Sequence, residues 1–284
     1  MLILALAAAV LYGTADFFGG VAARRANPFA VIALTMPAGV LVVLAAIAVL
    51  AVTRGGVLVA FGGWEDAGWA AAGGGTGAIG LIAFYAGFAS APMSVVAPVS
   101  ALVSTVLPIG IAMADGERPS AAVIVGALIC LAAIILVSAE PGAARSTHKL
   151  RGLGYGIAAG AAFGLFFVFL KNAGHDAVLW PVAVQRLAGT AVALVAFAIV
   201  RPGRAAVDKR LLRIALLSGA LDSMANVCYV LATRMGMFGL AVVITSLYPG
   251  ATVLLARFVL RERMRVVQQV GLVLAAAGVI LVSV

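Results

Sequence analysis

Glu117-Arg118-Pro119-Ser120-Ala121-Ala122-Val123-Ile124-Val125-Gly126 closes one apolar segment and opens another, and the chain repeats the junction as Glu262-Arg263, with Gly271 again nine residues on. The offset is 262 − 117 = 145. The register holds to the end of the segment, where Ile135-Leu136-Val137-Ser138 faces Ile280-Leu281-Val282-Ser283 and Ala132 faces Ala277. Earlier matches follow with small gaps: Tyr85 with Tyr229 at 144, Gly39 with Gly189 at 150, and Gly13 with Gly164 at 151. Self-similarity at a nearly fixed period over a whole chain marks one structural unit used twice.

Composition says where the two units reside. Hydrophobic residues make up 64% of the 284-residue chain and charged residues only 10%, at a mean hydropathy of +1.19. A soluble domain carries about 25% charge. A membrane span needs roughly 20 apolar residues, and ten such stretches are read at about 2–22, 29–52, 67–89, 93–113, 120–139, 152–171, 177–200, 211–232, 237–260 and 266–283. Runs such as Val40 to Val52 are apolar on every face, whereas strands of a membrane barrel alternate polar and apolar residues. The expected fold is therefore an all-α integral membrane protein of ten transmembrane helices. Five spans per unit is an odd number, so the second unit enters the membrane upside down relative to the first, and the repeats are inverted. Residues 1–140 form the first five-helix repeat, 141–151 the linker with Pro141, Gly142, Ser146 and Thr147, and 152–284 the second repeat.

The net charge of +9 is organised by loop. Thirteen of nineteen basic residues fall in alternate loops: Arg24 and Arg25; Arg145, Lys149 and Arg151; Arg201, Arg204, Lys209, Arg210 and Arg213; Arg261, Arg263 and Arg265. Arg54, Arg118, Lys171 and Arg234 lie on the opposite side. The positive-inside rule places the basic loops in the cytoplasm and both termini outside. A nucleic-acid surface would need these residues on one folded face with aromatic platforms, and short loops do not supply one. Ala7, Ala8 and Ala9 imitate a signal-peptide cleavage site, but no basic n-region precedes them, and the match of the first span to the sixth argues that it is retained. Cys130 and Cys228 lie inside spans and read as small apolar residues rather than a disulfide or metal pair. No metal or cofactor is expected.

Small residues mark packing faces. The sixth span carries Gly152, Gly156, Gly160 and Gly164 at four-residue spacing, the first has the counterpart Ala5, Ala9 and Gly13, and the third has Gly73, Gly77, Gly80 and Gly87. Such ladders let helix backbones approach closely in lipid, where packing drives association. Pro98, Pro108 and Pro249 fall inside the fourth and ninth spans, which follow short connections around Pro92 and Gly236. Each proline removes an intrahelical hydrogen bond. These five residues are candidate hinges of a gate; kinks that merely follow the curvature of the bundle are the alternative.

Ionisable residues at membrane depth cost at least about 2.5–3.5 kcal/mol on insertion scales, so they face a partner or a water-filled cavity. Asp16, Arg186, Asp222 and Asn226 are the polar residues in such positions. Asp222, Asn226 and Tyr229 share one helical face, as do Tyr12 and Asp16. Arg186 and Asp222 are a candidate intramembrane ion pair, either a clamp between the seventh and eighth spans or part of a cavity that offers both charges to a zwitterion. In the first repeat the positions of Asp222, Asn226 and Arg186 are held by Ala78, Ile82 and Met36. A clamp that the fold required would recur in both copies, and this one does not.

The paired Glu-Arg junctions, the stretch Pro98-Val99-Ser100-Ala101-Leu102, the stretch Ser246-Leu247-Tyr248-Pro249 and the opening Leu11-Tyr12-Gly13-Thr14-Ala15-Asp16-Phe17-Phe18-Gly19-Gly20 together resemble the EamA-type branch of the drug/metabolite transporter superfamily. The resemblance covers all ten spans and implies a carrier with a central cavity lined by helices 1, 3, 4, 6, 8 and 9, working by alternating access. It also implies amino-acid export as the activity, with drug, sugar or nucleotide-sugar transport as alternatives on the same fold. The cavity positions it implies are Tyr12, Asp16, Tyr85, Ser100, Phe163, Phe167, Asp222, Asn226, Tyr229, Ser246 and Tyr248. Arg186, on helix 7, falls outside that set. The family pattern puts both termini in the cytoplasm, opposite to the charge count, so orientation stays open.

The functional expectation is an inner-membrane carrier of a bacterial cell that moves a small polar metabolite, with the lipid bilayer and the solute as its partners. The sequence does not set the oligomeric state, and a monomer is compatible with it. A membrane-embedded enzyme on a lipid-linked substrate would need an acid-base, nucleophilic or metal cluster, yet His148 and His175 lie in loops. A channel would need a polar stripe along one pore, and the polar residues instead gather at mid-depth.

Overall fold

The computed structural model describes residues 1–23, 25–53, 63–90, 93–137, 147–173, 179–201, 208–259 and 265–283. Among them are eleven helices and no strand: α1 (Leu2–Ala23), α2 (Pro28–Thr53), α3 (Trp64–Ser90), α4 (Met93–Ala114), α5 (Ala121–Val137), α6 (Thr147–Asn172), α7 (Leu179–Val200), α8 (Lys209–Arg234), α9 (Phe238–Thr245), α10 (Tyr248–Val259) and α11 (Val266–Ser283). Six of these are long and apolar enough to cross a bilayer by length and composition, and four shorter apolar stretches accompany them. Leu41, Val52, Ile199, Phe258, Val273 and Ile280 are exposed on the outside of the bundle, which suits hydrocarbon rather than water. The second junction, Glu262-Arg263, the hinge candidate Pro92 and residues 138–146 of the linker region lie outside the described residues.

Helix ends follow local chemistry. Asn27 Oδ1 accepts the Phe29 amide at 3.0 Å and Pro28 occupies the first position of α2, where its missing N–H costs nothing. Asp208 caps α8 by accepting the Leu211 amide at 2.6 Å. Gly116, at φ +98, ends α4 in the left-handed conformation that glycine adopts without strain. The Glu117 amide then reaches Ala112 O at 2.9 Å and the Gly116 amide reaches Met113 O at 3.2 Å, the paired bonds of a Schellman stop.

Two expected boundaries change. The ninth span is not one helix: α9 and α10 meet at a break over Ser246 and Leu247. Pro249 has no N–H to give the Thr245 carbonyl, and its ring excludes that carbonyl from the helical position. The chain turns through shorter bonds, Leu247 N to Ile244 O at 3.2 Å and Gly250 N to Leu247 O at 2.9 Å. Pro249 is thus in the first turn of α10 rather than at a kink inside a span. The sixth helix starts at Thr147, so residues 147–151 of the expected linker are helical. Hydropathy marks where a chain enters lipid, whereas hydrogen bonding starts the helix about a turn earlier.

The extensive helix pairings join residues 2–137 to residues 147–283. α6 lies along α3 and α4, α1 lies along α8 and the α9–α10 pair, α2 and α3 both pack on α7, α2 also packs on α8, and α5 packs on α11. Neighbours in sequence touch little. The glycine ladders make these approaches. A Cβ at Gly156 would lie 2.8 Å from Val99 Cβ, and one at Gly160 2.6 Å from Ser100 O, so the α6 ladder faces α4. Gly13 lies against Tyr248 O and Ala251 of α10, while Gly77 and Gly80 of α3 lie against Phe166 and Phe163 of α6. Two crossings match atom for atom: a Cβ at Gly74 would strike Gln185 O of α7, and one at Gly219 would strike Thr35 O of α2. The main apolar cluster, including Tyr12, Phe166, Phe167, Tyr229 and Phe238, is built by both halves.

Candidate functional site

α1 and α8 meet through small residues, which brings their polar faces together. Ser218 Oγ donates to Ala15 O at 2.8 Å. One turn along, Tyr12 Oη donates to Asn226 Oδ1 at 2.7 Å, and Asn226 Nδ2 donates to Asp222 O, its own helix four residues back, at 2.7 Å. Asn226 is buried, so both ends of its amide are satisfied by a bond to α1 and a bond to α8. Tyr229, on the same face of α8, donates to Phe167 O of α6 at 3.1 Å and packs its ring, tilted by 46°, against the Phe167 ring at a centroid distance of 4.8 Å.

Arg186 of α7 pairs with Asp222 of α8, its Nη2 donating to Asp222 Oδ2. The guanidinium is 2% exposed and the carboxylate 25%, so the arginine is enclosed while one side of the aspartate faces open space. Arg186 Nη1 rests on Met36 Sδ at 3.8 Å, a weak acceptor, and Nε has no partner among the described residues. Gly39 of α2 makes room for this arrangement, because a Cβ there would sit 3.2 Å from Arg186 Cδ and collide with Ser223 Oγ.

The ion pair borders a central cavity, with about 60 Å³ of room for the centres of water-sized molecules. That is space for on the order of four to six waters, or one small solute. Its polar wall consists of Tyr12 and Asp16 from α1, Gln185 and Arg186 from α7, Asp222 and Asn226 from α8, Ser104 from α4 and Tyr248 from α10. Its apolar wall is Phe163, Phe166 and Phe167 of α6 with Met36, Gly77 and Leu81. Asp16 has no hydrogen-bond or ion-pair partner among the described residues. The three phenylalanines are held edge to face, Phe166 with Phe167 at 5.2 Å and Phe163 with Phe84 at 5.8 Å.

Eight of the twelve residues named from the resemblance or the paired ions reach this wall: Tyr12, Asp16, Phe163, Phe167, Arg186, Asp222, Asn226 and Tyr248. Tyr85, Ser100, Tyr229 and Ser246 do not. Tyr85 is packed against Gly19, Tyr229 is fully buried behind Phe167, and the hydroxyls of Ser100 and Ser246 are buried within helix contacts. The expected set of lining helices also changes, because α7 contributes Gln185 and Arg186, and α2 contributes Met36. Met36 is the repeat equivalent of Arg186, so a residue and its own copy meet beside the cavity. Met36, Ser104 and Phe166 gave no sign in the sequence; the i, i+3 and i+4 relation of Phe166 and Phe167 to Phe163 is the one pattern that announces part of the aromatic wall. Of the other hinge candidates, Pro98 and Pro108 lie within a continuous α4, and Gly236 lies in the turn before α9, against Met1.

One end of the bundle is tied separately. The Glu117 side chain reaches across to the first turn of α9 and accepts the Phe238 amide at 2.9 Å on Oε1 and the Gly239 amide at 3.2 Å on Oε2. Lys171 at the end of α6 lies 3.8 Å from Asp115 and 4.8 Å from the centroid of the Phe238 ring, a cation–π contact. The junction glutamate that marks the repeat in sequence is therefore an N-cap supplied to a helix of the other half.

Residues 150–284 match the EamA-like transporter family. A solved crystal structure of a protein superposes on the chain with a TM-score of 0.80 at 19% identity, over 98% of this chain and 94% of that one, which establishes the shared fold. No curated protein matches the chain.

Proposed function

From a chain whose residues 150–284 belong to the EamA-like transporter family, we propose that the whole molecule is a secondary carrier of the bacterial cytoplasmic (inner) membrane that moves small polar metabolites, amino acids foremost, outward by alternating access. The observation that carries this reading is the central cavity, which brings three charged side chains to mid-span at the seam between the halves. Ligand sites of transporters lie near the bilayer midplane between repeats. The seam also supports the inverted-repeat reading: exchanging each helix of residues 2–137 for its counterpart maps the pairing of α3 with α6 onto that of α8 with α1, and the pairing of α3 with α7 onto that of α8 with α2. Multidrug and sugar or nucleotide-sugar transport are the alternatives on the same fold.

The test is flux. The purified chain, reconstituted in liposomes and loaded with unlabelled amino acids, is expected to drive counterflow of the labelled forms. Protein-free liposomes and liposomes carrying a heat-denatured sample set the baseline. Absence of counterflow for every amino acid in the panel would overturn the substrate assignment.

A further inference from the structure

The charges on the cavity wall do not cancel. With both carboxyls ionised, Asp16 and Asp222 set two negative charges against the one positive charge of Arg186, a formal sum of 1 − 2 = −1. Arg186 and Asp222 already neutralise one another through their hydrogen bond, and Arg186 is nearly sealed: Nη2 is on Asp222, Nη1 is on Met36, and the unpartnered Nε is buried beyond a ligand's reach without rearrangement. Asp16 is in a different state. It lines the same cavity, has no hydrogen-bond or ion-pair partner among the described residues, and is faced by Tyr12, Tyr85 and Tyr248, which are hydroxyl groups, and by Asp222, which is already paired. An uncompensated carboxylate at membrane depth is offset by a cation or by a proton.

Resting on the reading of the cavity as the transport site, we infer that Asp16 is the residue that recognises the solute, and that it does so through an ammonium group: the carrier selects compact primary amines and does not require a carboxylate on them. A zwitterion brings its own anion, which meets a guanidinium that is already paired with Asp222 and only 2% exposed. An amide or hydroxyl in that place keeps the ammonium contact and adds no charge to a site already negative. Arg186 and Asp222 then act as positioning residues that hold α7 against α8, which lies along α1, and discrimination lies on α1.

Three solutes of nearly the same shape separate the terms: alaninamide (ammonium, no carboxylate), alanine (both) and lactate (carboxylate, no ammonium). In proteoliposomes of the full chain, alaninamide is expected to compete with the most readily carried solute at least as well as alanine, and lactate at least 10-fold less well. Asp16→Asn should reduce alaninamide transport at least 10-fold while the protein melts within a few degrees of wild type, and Asp16→Glu should restore the preference for the ammonium over lactate. Lactate competing as well as alaninamide in the wild type overturns the inference without any variant. So does an Asp16→Asn protein that retains the order of the three solutes. If the wild type carries nothing in the wider panel, it is the transport reading that fails, and the two failures are told apart.

Discussion

Removing the Glu117 carboxylate is the perturbation whose cost follows most directly from geometry. Its two oxygens take the first two amides of α9, a helix of eight residues that are all buried and that ends at a break. A helix that short has few internal bonds, and its N-cap residue, Met237, provides no side-chain bond. Loss of an N-cap costs about 0.5–2 kcal/mol, and loss of the negative charge at the positive end of the helix dipole a further ~0.3–1 kcal/mol. Glu117 is half-exposed at the end of the bundle, so these values are taken without enhancement for burial. Glu117→Ala should therefore cost about 1–3 kcal/mol, and Glu117→Gln, which keeps one neutral acceptor, about half as much. The assay is amide hydrogen exchange on the detergent-solubilised protein. At tenfold per 1.4 kcal/mol, exchange at Phe238 and Gly239 should quicken by roughly 5- to 150-fold in Glu117→Ala, with the core of α6 unchanged. Unchanged protection of those two amides would refute the capping argument, whatever happened to global stability.

Two further outcomes follow from the site and the crossings. Arg186→Met and Asp222→Leu each strand a charge, and each should cost at least about 2 kcal/mol, below the ~3–5 kcal/mol of a fully enclosed pair because Asp222 keeps 25% exposure; the double variant Arg186→Met/Asp222→Leu should cost less than the sum in a denaturation cycle, and strict additivity would show that the pair is not coupled. Gly74→Ala places a methyl into the backbone of Gln185 and Gly189 and should sharply reduce folded yield, whereas at Gly75 nothing lies within 4 Å and the same change should be neutral or stabilise by about 0.5–1 kcal/mol; equal melting temperatures for the two variants would contradict the close crossing of α3 and α7.

Hydropathy located the helices because lipid imposes a single requirement on every span, and the glycine ladders located their closest approaches because only a missing side chain permits them. Asp16, Arg186 and Asp222 were legible for the same reason: charge is rare at that depth. What stayed hidden depends on partners distant in sequence. Nothing around Met36 shows that it will face Arg186, 150 residues away. The role of Glu117 was equally silent, since a junction glutamate looks the same whether it meets water or the amides of α9. The break at Ser246 and Leu247 was misread because an apolar run of 24 residues fits a single span, and Pro249 weighed less than the length. Tyr85, Tyr229, Ser100 and Ser246 shared the composition of a cavity wall, yet helix rotation turned them into packing contacts.

The crossing of every extensive helix pairing from one half to the other has a consequence for biosynthesis. The first five helices leave the ribosome before any of the surfaces they fit exists. Gly74, Gly77 and Gly80 of α3 then face lipid chains instead of Gln185, Phe166 and Phe163, and Asp16 waits without α8 beside it. Their neighbours in sequence offer little purchase, so the early intermediate is a loose set of inserted spans and not half of a finished protein. Assembly proceeds by interleaving, with α6 entering between α3 and α4 and α8 arriving against α1 and α2. The central cavity is thus complete only once α10 has been made.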